Sequence, residues 1–387
     1  MTLLAANGIA SGLSGRESGL QATHQALRQL GNLSPTLGLV FVSPEYNARE
    51  VTGGVSSLLG DTPTIGISTP GFLSPAGFHS HSVLVTLLAS DSFQAEALWM
   101  PGYAQSSRET AERLKQLVQR TLSPKALLFF ADGFTGNIEQ FCNSLELPDM
   151  VIAGGLTGGN VNTLSTFLLS TSFQGAGALA GAILRGGIRI GIGYAHGWQP
   201  VGKQFRVTRA RGFWLRTLDG RPASEAYAQL FRYPAREWSF PPLNTLSRIY
   251  PLAIVGEKGL ALRSPIRVES DGSFRMNLTV EDGDDVMLLI GNQESCRQAI
   301  FDAVNQALRG LGESRPEFVL LLIDQAWEML LRTSSGFEVR VLQEIIGPQV
   351  PVIGAYTLGQ IASTPSSPIP HALNQHILII AFGTESR

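Results

Sequence analysis

The chain is short of charge: 16% of its 387 residues are Asp, Glu, Lys or Arg, against about 25% in ordinary globular domains. Sparse surface charge fits deep burial and a subunit interface. Net charge is −2, and no strongly basic or acidic block stands out, which argues against a nucleic-acid footprint. Cysteine is nearly absent. Cys142 and Cys296 are the whole complement, too few for a disulfide scaffold. No apolar run approaches the roughly 20 residues that span a bilayer. The first seven residues lack the basic start and apolar stretch of a signal peptide. These absences make the cytoplasm the expected address, with no membrane and no nucleic acid as partner. Also missing are a Gly-x-Ser-x-Gly elbow, a His-Glu-x-x-His helix and a P-loop.

What is present is repetition. Three segments run from an apolar stretch, through a helical pattern, into a second apolar stretch. The first begins at Leu39 and ends at Gly71, with Val51, Val55, Leu58 and Leu59 on its helical face. The second begins at Ala126 and ends at Gly159, with Ile138, Phe141, Cys142 and Leu145. The third begins at Phe318 and ends at Gly359, with Phe337, Val341, Leu342 and Ile345. Each closes on Gly-x-x-Thr-x-Gly: Gly66/Thr69/Gly71, Gly154/Thr157/Gly159 and Gly354/Thr357/Gly359. Continuous apolar runs of this length fit strands buried on both faces. The expected fold is α/β, with mixed or mostly parallel sheets built from repeated strand–helix–strand units in two halves. The halves are expected at 18–222 and 223–385. Further helices are expected near 18–30, over 107–122 behind a Ser106/Glu109 capping box, and over 293–309, closed by Gly310 and Gly312. A hairpin through Arg211-Gly212 is expected over 205–218, then a helix with Pro222 near its start. The Pro/Ser-rich stretch 363–370 reads as a surface loop.

Several residues are open to two readings. The Gly-x-x-Thr-x-Gly turns can supply positive φ, a nest of N–H groups for an anion and a threonine hydroxyl. They can equally let layers cross closely, with Thr capping the turn. Asp132 and Asp324 end their apolar runs where α/β sheets place ligands, or they cap turns. Cys142 and Cys296 read as buried hydrophobes; Cys296 also sits in a first helical turn, where a thiol pKa can fall. Gly191-Ile-Gly-Tyr-Ala-His-Gly197 imitates a dinucleotide fingerprint, with its last glycine one residue late. No histidine pair has metal-ligand spacing on a helix, although His79 and His81 share a face if that segment is a strand.

The stretch His196-Gly-Trp-Gln-Pro-Val-Gly202, then Val207-Thr-Arg209 and Leu218-Asp-Gly-Arg-Pro-Ala223, resembles the junction between the halves of the FIST sensory domain. Gly354-Ala-Tyr-Thr-Leu-Gly-Gln-Ile361 resembles the signature late in its C-terminal half. Leu128–Gly133 and Ile152–Gly158 resemble its N-terminal half. The resemblance runs from about residue 20 to residue 383. It implies a non-catalytic sensory module that binds a small ligand, amino acids among the proposals. With no output domain in this chain, signalling would pass through a separate partner such as a histidine kinase. Some bacterial members are described as haem proteins that sense nitric oxide; His196, His79 and His81 would be the candidate ligands here. An enzyme using Asp132 or Asp324 as a base and a protein-binding scaffold are the remaining alternatives. The expected ligand site is Gly66, Ser68, Thr69, Gly71, Gly154, Thr157, Gly158, Asn160, Gly354, Tyr356, Thr357, Gly359, Gln360 and His196, with no metal and no required cofactor. The chain departs from the family pattern at Gln360 and Phe72, where Glu is usual, and at Ile323–Trp327, where a Cys-x-x-Arg is usual.

Overall fold

A computed structural model describes residues 3–12, 14–159, 164–256, 259–332, 336–364 and 367–385. The chain opens with β1 (Leu4–Ser11), α1 (Gly15–Leu30), β2 (Leu37–Val42), α2 (Ala48–Leu59), β3 (Thr64–Ser68), a hairpin of β4 (Phe72–Ser74) and β5 (Gly77–His79), and β6 (Ser82–Ala89). The next stretch has β7 (Phe93–Met100), α3 (Ser107–Arg120), β8 (Pro124–Ala131), α4 (Ile138–Ser144), β9 (Val151–Leu156), a hairpin of β10 (Leu168–Ser170) and β11 (Phe173–Gly175), and β12 (Leu179–Gly186). A third stretch begins with β13 (Ile188–Ala195) and is interrupted by a module. The module holds β14 (Trp198–Arg211), β15 (Trp214–Leu218), β16 (Arg221–Pro222), α5 (Ala223–Phe231), α6 (Leu243–Leu246), β17 (Leu252–Gly256), β18 (Gly259–Arg263), β19 (Pro265–Val268), β20 (Phe274–Met276) and β21 (Asp285–Gly291). The stretch resumes with α7 (Gln293–Leu311), β22 (Phe318–Asp324), α8 (Gln325–Leu330), α9 (Phe337–Ile346), β23 (Val352–Thr357), a hairpin of β24 (Gly359–Thr364) and β25 (Ser367–Leu373), and β26 (Ile377–Thr384).

The helices form where the sequence supplies both a cap and an apolar stripe. Ser14 and Glu17 make a capping box that starts α1, and Ser106 accepts from Glu109 N–H at the start of α3. Asn292 starts α7, whose stripe of Cys296, Ala299, Ile300, Ala303, Val304 and Ala307 is buried. That helix runs through Gly310 and ends at Gly312, which has φ +63°. Leu58, expected on the inner face of α2, is 39% exposed and lies at its margin.

The three stretches share their sheets. β2 and β3 are parallel, as are β8 with β9 and β22 with β23; every other pairing is antiparallel among the described residues. Each hairpin that follows a parallel pair leaves its own sheet. β4–β5 joins β23, β24–β25 joins β9, and β10–β11 joins β3. The exchange is cyclic, so each of the three six-stranded sheets contains strands from two stretches. Their inner faces meet in one core that includes Phe41, Phe130 and Phe382. Their outer faces are covered by α1/α2, by α3/α4 and by α7/α9. The third sheet takes β13 as an edge strand, so it draws on both sides of residue 222.

One local expectation changes, and the fingerprint-like segment finds a structural reason. Residues 363–370 belong to β24 and β25 apart from 365–366, which lie outside the described residues; they are not a surface loop. β25 is an edge strand, where Pro368 and Pro370 need donate no ladder hydrogen bond. The glycines of the fingerprint-like 191–197 segment lie on or just beyond β13. A Cβ on Gly191 would sit 1.9 Å from Ala307 O, and one on Gly193 would sit 2.0 Å from Ala303 O. They let α7 lie directly on the strand.

Candidate functional site

The parallel strands β3, β9 and β23 end in the three Gly/Thr turns, and the hairpin exchange brings these turns together. Gly158 N–H donates to Ser68 O at 3.1 Å, and Ser68 Oγ donates to Gly158 O at 2.9 Å. Thr69 Oγ1 lies 2.8 Å from Tyr356 O, and Tyr356 N–H donates to Gly71 O at 3.1 Å. Leu358 N–H donates to Leu156 O at 3.2 Å. Each turn therefore bonds both of the others.

The junction is filled. Ser68, Thr69, Thr157 and Thr357 are fully buried, and Tyr356 and Gln360 nearly so. Thr157 Oγ1 accepts Gly133 N–H at 2.9 Å. Thr357 Oγ1 donates to Ile323 O and accepts from Gln360 Nε2. Gln360 Oε1 takes His376 N–H, and the Tyr356 hydroxyl donates to Glu338 at 2.8 Å. None of the motif glycines has positive φ, so the expected anion nest does not form there. Their role is close approach: a Cβ on Gly66 would lie 2.2 Å from Val40 O, on Gly154 1.8 Å from Phe129 O, and on Gly158 2.5 Å from Pro70 Cδ. Gly354 and Gly359 have looser but still tight neighbours. Asn160 lies outside the described residues.

The other singled-out groups are also occupied. Asp132 accepts three main-chain N–H groups, from Phe134, Thr135 and Gly177, at 2.9, 3.1 and 2.7 Å. Asp324 pairs with Arg248 at 2.9 Å, both fully buried, and accepts from Ala326 and Gln375 N–H. Burial raises the Asp324 pKa against the opposing pull of Arg248 and those N–H groups. Burial also raises both thiols, Cys296 to about 12; the first-turn position of Cys296 does not prevail. His196 meets His376 edge to face, with ring centroids 5.0 Å apart, and burial lowers its pKa. His79 bonds Ser74 and stacks on Phe72. His81 falls in a turn with φ +49°, so it shares no strand face with His79.

Open space lies elsewhere. A cavity of about 750 Å³ separates the edge strand β13 and the end of α7 from β9, β24 and β25. Ile190, Ile192, Met150 and Val151 make apolar walls, and Tyr194, Gln306, Asp149 and Arg309 add polar groups. Gln306 is anchored by accepting Tyr194 N–H through Oε1. The sequence held no sign of this cavity, because its walls come from residues about 40 to 215 positions apart that meet only through the sheet exchange. A cleft of about 30 Å³ lies beside the Asp132 loop, closed by Arg275 and Asn277 of the module.

A mixed α/β architecture with sheets shared between stretches defines the class. The FIST N domain model matches residues 36–221 and the FIST C domain model matches 223–363. The chain belongs to the FIST family, whose domains are associated with sensory signalling and small-ligand binding. No curated protein matches it. Among solved structures it is similar to the crystal structure of cyanuic acid hydrolase from A. caulinodans, at 8% identity over the whole of both chains and a TM-score of 0.40.

Proposed function

We propose that this chain is a non-catalytic sensory protein that binds a small molecule and passes the signal to a separate partner. Membership of the FIST family supports the class. The observation that carries the reading is the cavity bounded by β13, α7, β9 and β24–β25. It has the size of a small-ligand site, and its wall sets apolar Ile190, Ile192, Met150 and Val151 beside polar Asp149, Gln306, Arg309 and Ser363. It also joins two sheets, so an occupant would bear on their relative placement. The junction of Gly/Thr turns then serves as the fixed frame beside it. Asp132 and Asp324 each accept three hydrogen bonds in structural roles, a turn and a buried ion pair, and neither is hydrogen-bonded to a nucleophile among the described residues, which supports a non-catalytic role.

Haem fits the described residues poorly. His79 is committed to Ser74, His81 is on a turn, and none of the histidines borders the 750 Å³ cavity. The test is thermal unfolding of the full chain with amino acids, small organic acids and haemin. A ligand at a hundredfold excess over its Kd stabilises the folded state by about 2.7 kcal/mol, a rise of a few degrees. No rise with any member of the panel, together with nothing co-purifying by native mass spectrometry, overturns the proposal.

A further inference from the structure

The inserted module carries a basic strip that the linear sequence hides. Residues 203–221 contain Lys203, Arg206, Arg209, Arg211, Arg216 and Arg221 against Asp219 alone, in a chain whose net charge is −2. Their spacing along β14 and β15 keeps them from reading as a block. The register gathers part of them with residues from two other strands. Arg211 stands opposite Trp214, Trp214 opposite Arg275, and Arg275 opposite Arg267. Residues directly opposite share a sheet face, so four adjacent strands present Arg–Trp–Arg–Arg in one row. At strand spacings of about 4.8 Å the row spans roughly 14 Å.

The row is electrostatically incomplete. Like charges directly opposite one another are unfavourable, yet Arg267 faces Arg275. Glu269 answers Arg267, at 2.6 Å. Among the described residues Arg275 makes no ion pair; it meets the Trp214 ring, 6.0 Å from its guanidinium carbon, and donates to Phe134 O at 3.5 Å. Burial, then the Arg267 charge, pulls the Arg275 pKa down, and Glu269 opposes this. Arg211 is exposed and makes no ion pair among the described residues; Trp214 is 36% exposed. The row thus runs from the cleft beside the Asp132 loop out to the hairpin tip.

We propose that this row is a docking surface for an acidic segment of a partner protein. The idea rests on the sensory reading, for which it names the output face. Carboxylates would pair with Arg211 and Arg275, with the indole between them as an apolar anchor, a combination enriched where proteins bind each other. A peptide suits the row better than a nucleic acid does. Acidic groups interrupt the basic surface, with Asp282 accepting Ala210 N–H beside Arg211 and Glu269 paired to Arg267, whereas a phosphate track needs a continuous basic groove.

The experiment is fluorescence anisotropy of a short labelled oligo-glutamate peptide titrated with the full chain at low and moderate salt. Binding is expected and should weaken as salt rises. Arg211→Glu should weaken it by roughly tenfold or more, as should Arg275→Gln, while Arg120→Glu, an exposed reversal on α3, should leave it intact. Equal loss with Arg120→Glu, no loss with Arg211→Glu, or tighter binding of a single-stranded DNA oligonucleotide than of the peptide overturns the proposal. Thermal shifts with the ligand panel should be unchanged in Arg211→Glu. Failure of peptide binding with those shifts retained removes the docking face and leaves the sensory reading standing.

Discussion

At the scale of residues, Gln375 ties the module to the core. It is fully buried with φ +63°, and its carbonyl accepts both the Trp198 and Trp327 indole N–H groups. Its amide donates to Arg248 O and Ser264 Oγ, and its main-chain N–H donates to Asp324. Arg248 lies in a short 3₁₀ turn of the module, so the buried Arg248–Asp324 pair crosses between the two parts. Arg248→Ala would leave the Asp324 carboxylate buried without its cation. Removing one partner of such a pair costs about 3–5 kcal/mol, which urea unfolding should register as a lower midpoint. His376 gives a pH prediction. Burial holds its pKa down to about 3, with the His196 ring adding to the effect. The unfolded chain takes up this proton below about 6.5, while the folded chain resists until about 3. Stability should therefore fall as pH drops through that window. The carboxyls of Asp324 and Glu338, raised by burial, act in the opposite sense: their share declines as pH rises above the usual carboxylate range. The slope between pH 6.5 and 5 should be shallower in His376→Asn than in the parent chain, read from urea midpoints.

At the scale of elements, close packing of helix on strand depends on missing side chains. Gly8 on β1 faces Ala22 O of α1 at 1.8 Å for a built Cβ, as Gly191 and Gly193 face α7. Gly191→Ala must push α7 off β13 and should cost about 1–3 kcal/mol, the usual range for overpacking. Gly212→Ala meets nothing within 4 Å, so it incurs only the strain of its φ of +57°. Calorimetry of the two variants separates steric crowding from backbone strain. The helices were legible because cap and stripe are local: Ser106 with Glu109, or the buried face of α7. The Gly/Thr turns were legible as a recurring pattern. Their use was not, because the pattern is the same whether a hydroxyl awaits a ligand or is bonded to a carbonyl 287 residues away, as Thr69 is to Tyr356. The same limit applies to β24–β25. A Pro/Ser-rich stretch looks like a loop until it is seen to close the β24–β25 hairpin, whose inner strand β24 pairs with β9.

At the scale of the whole molecule, the cyclic hairpin exchange decides what can move. The Gly/Thr junction sits where all three sheets hold one another, so it is the least suited part to open for a ligand. The cavity between β13 and β24–β25 lies where two sheets meet by their edges, and an edge can shift without breaking a ladder. The measurement that tests this division most directly is the ligand-induced rise in melting temperature, taken with whichever panel member binds, in three chains. The account expects the rise in the parent chain and in Thr157→Val, whose starting stability is lower. It expects the rise to vanish in Ile192→Trp, which fills the cavity, with Gln306→Leu as a milder second variant that weakens it. A rise that survives both cavity variants but disappears in Thr157→Val would place the ligand at the turns and contradict the account.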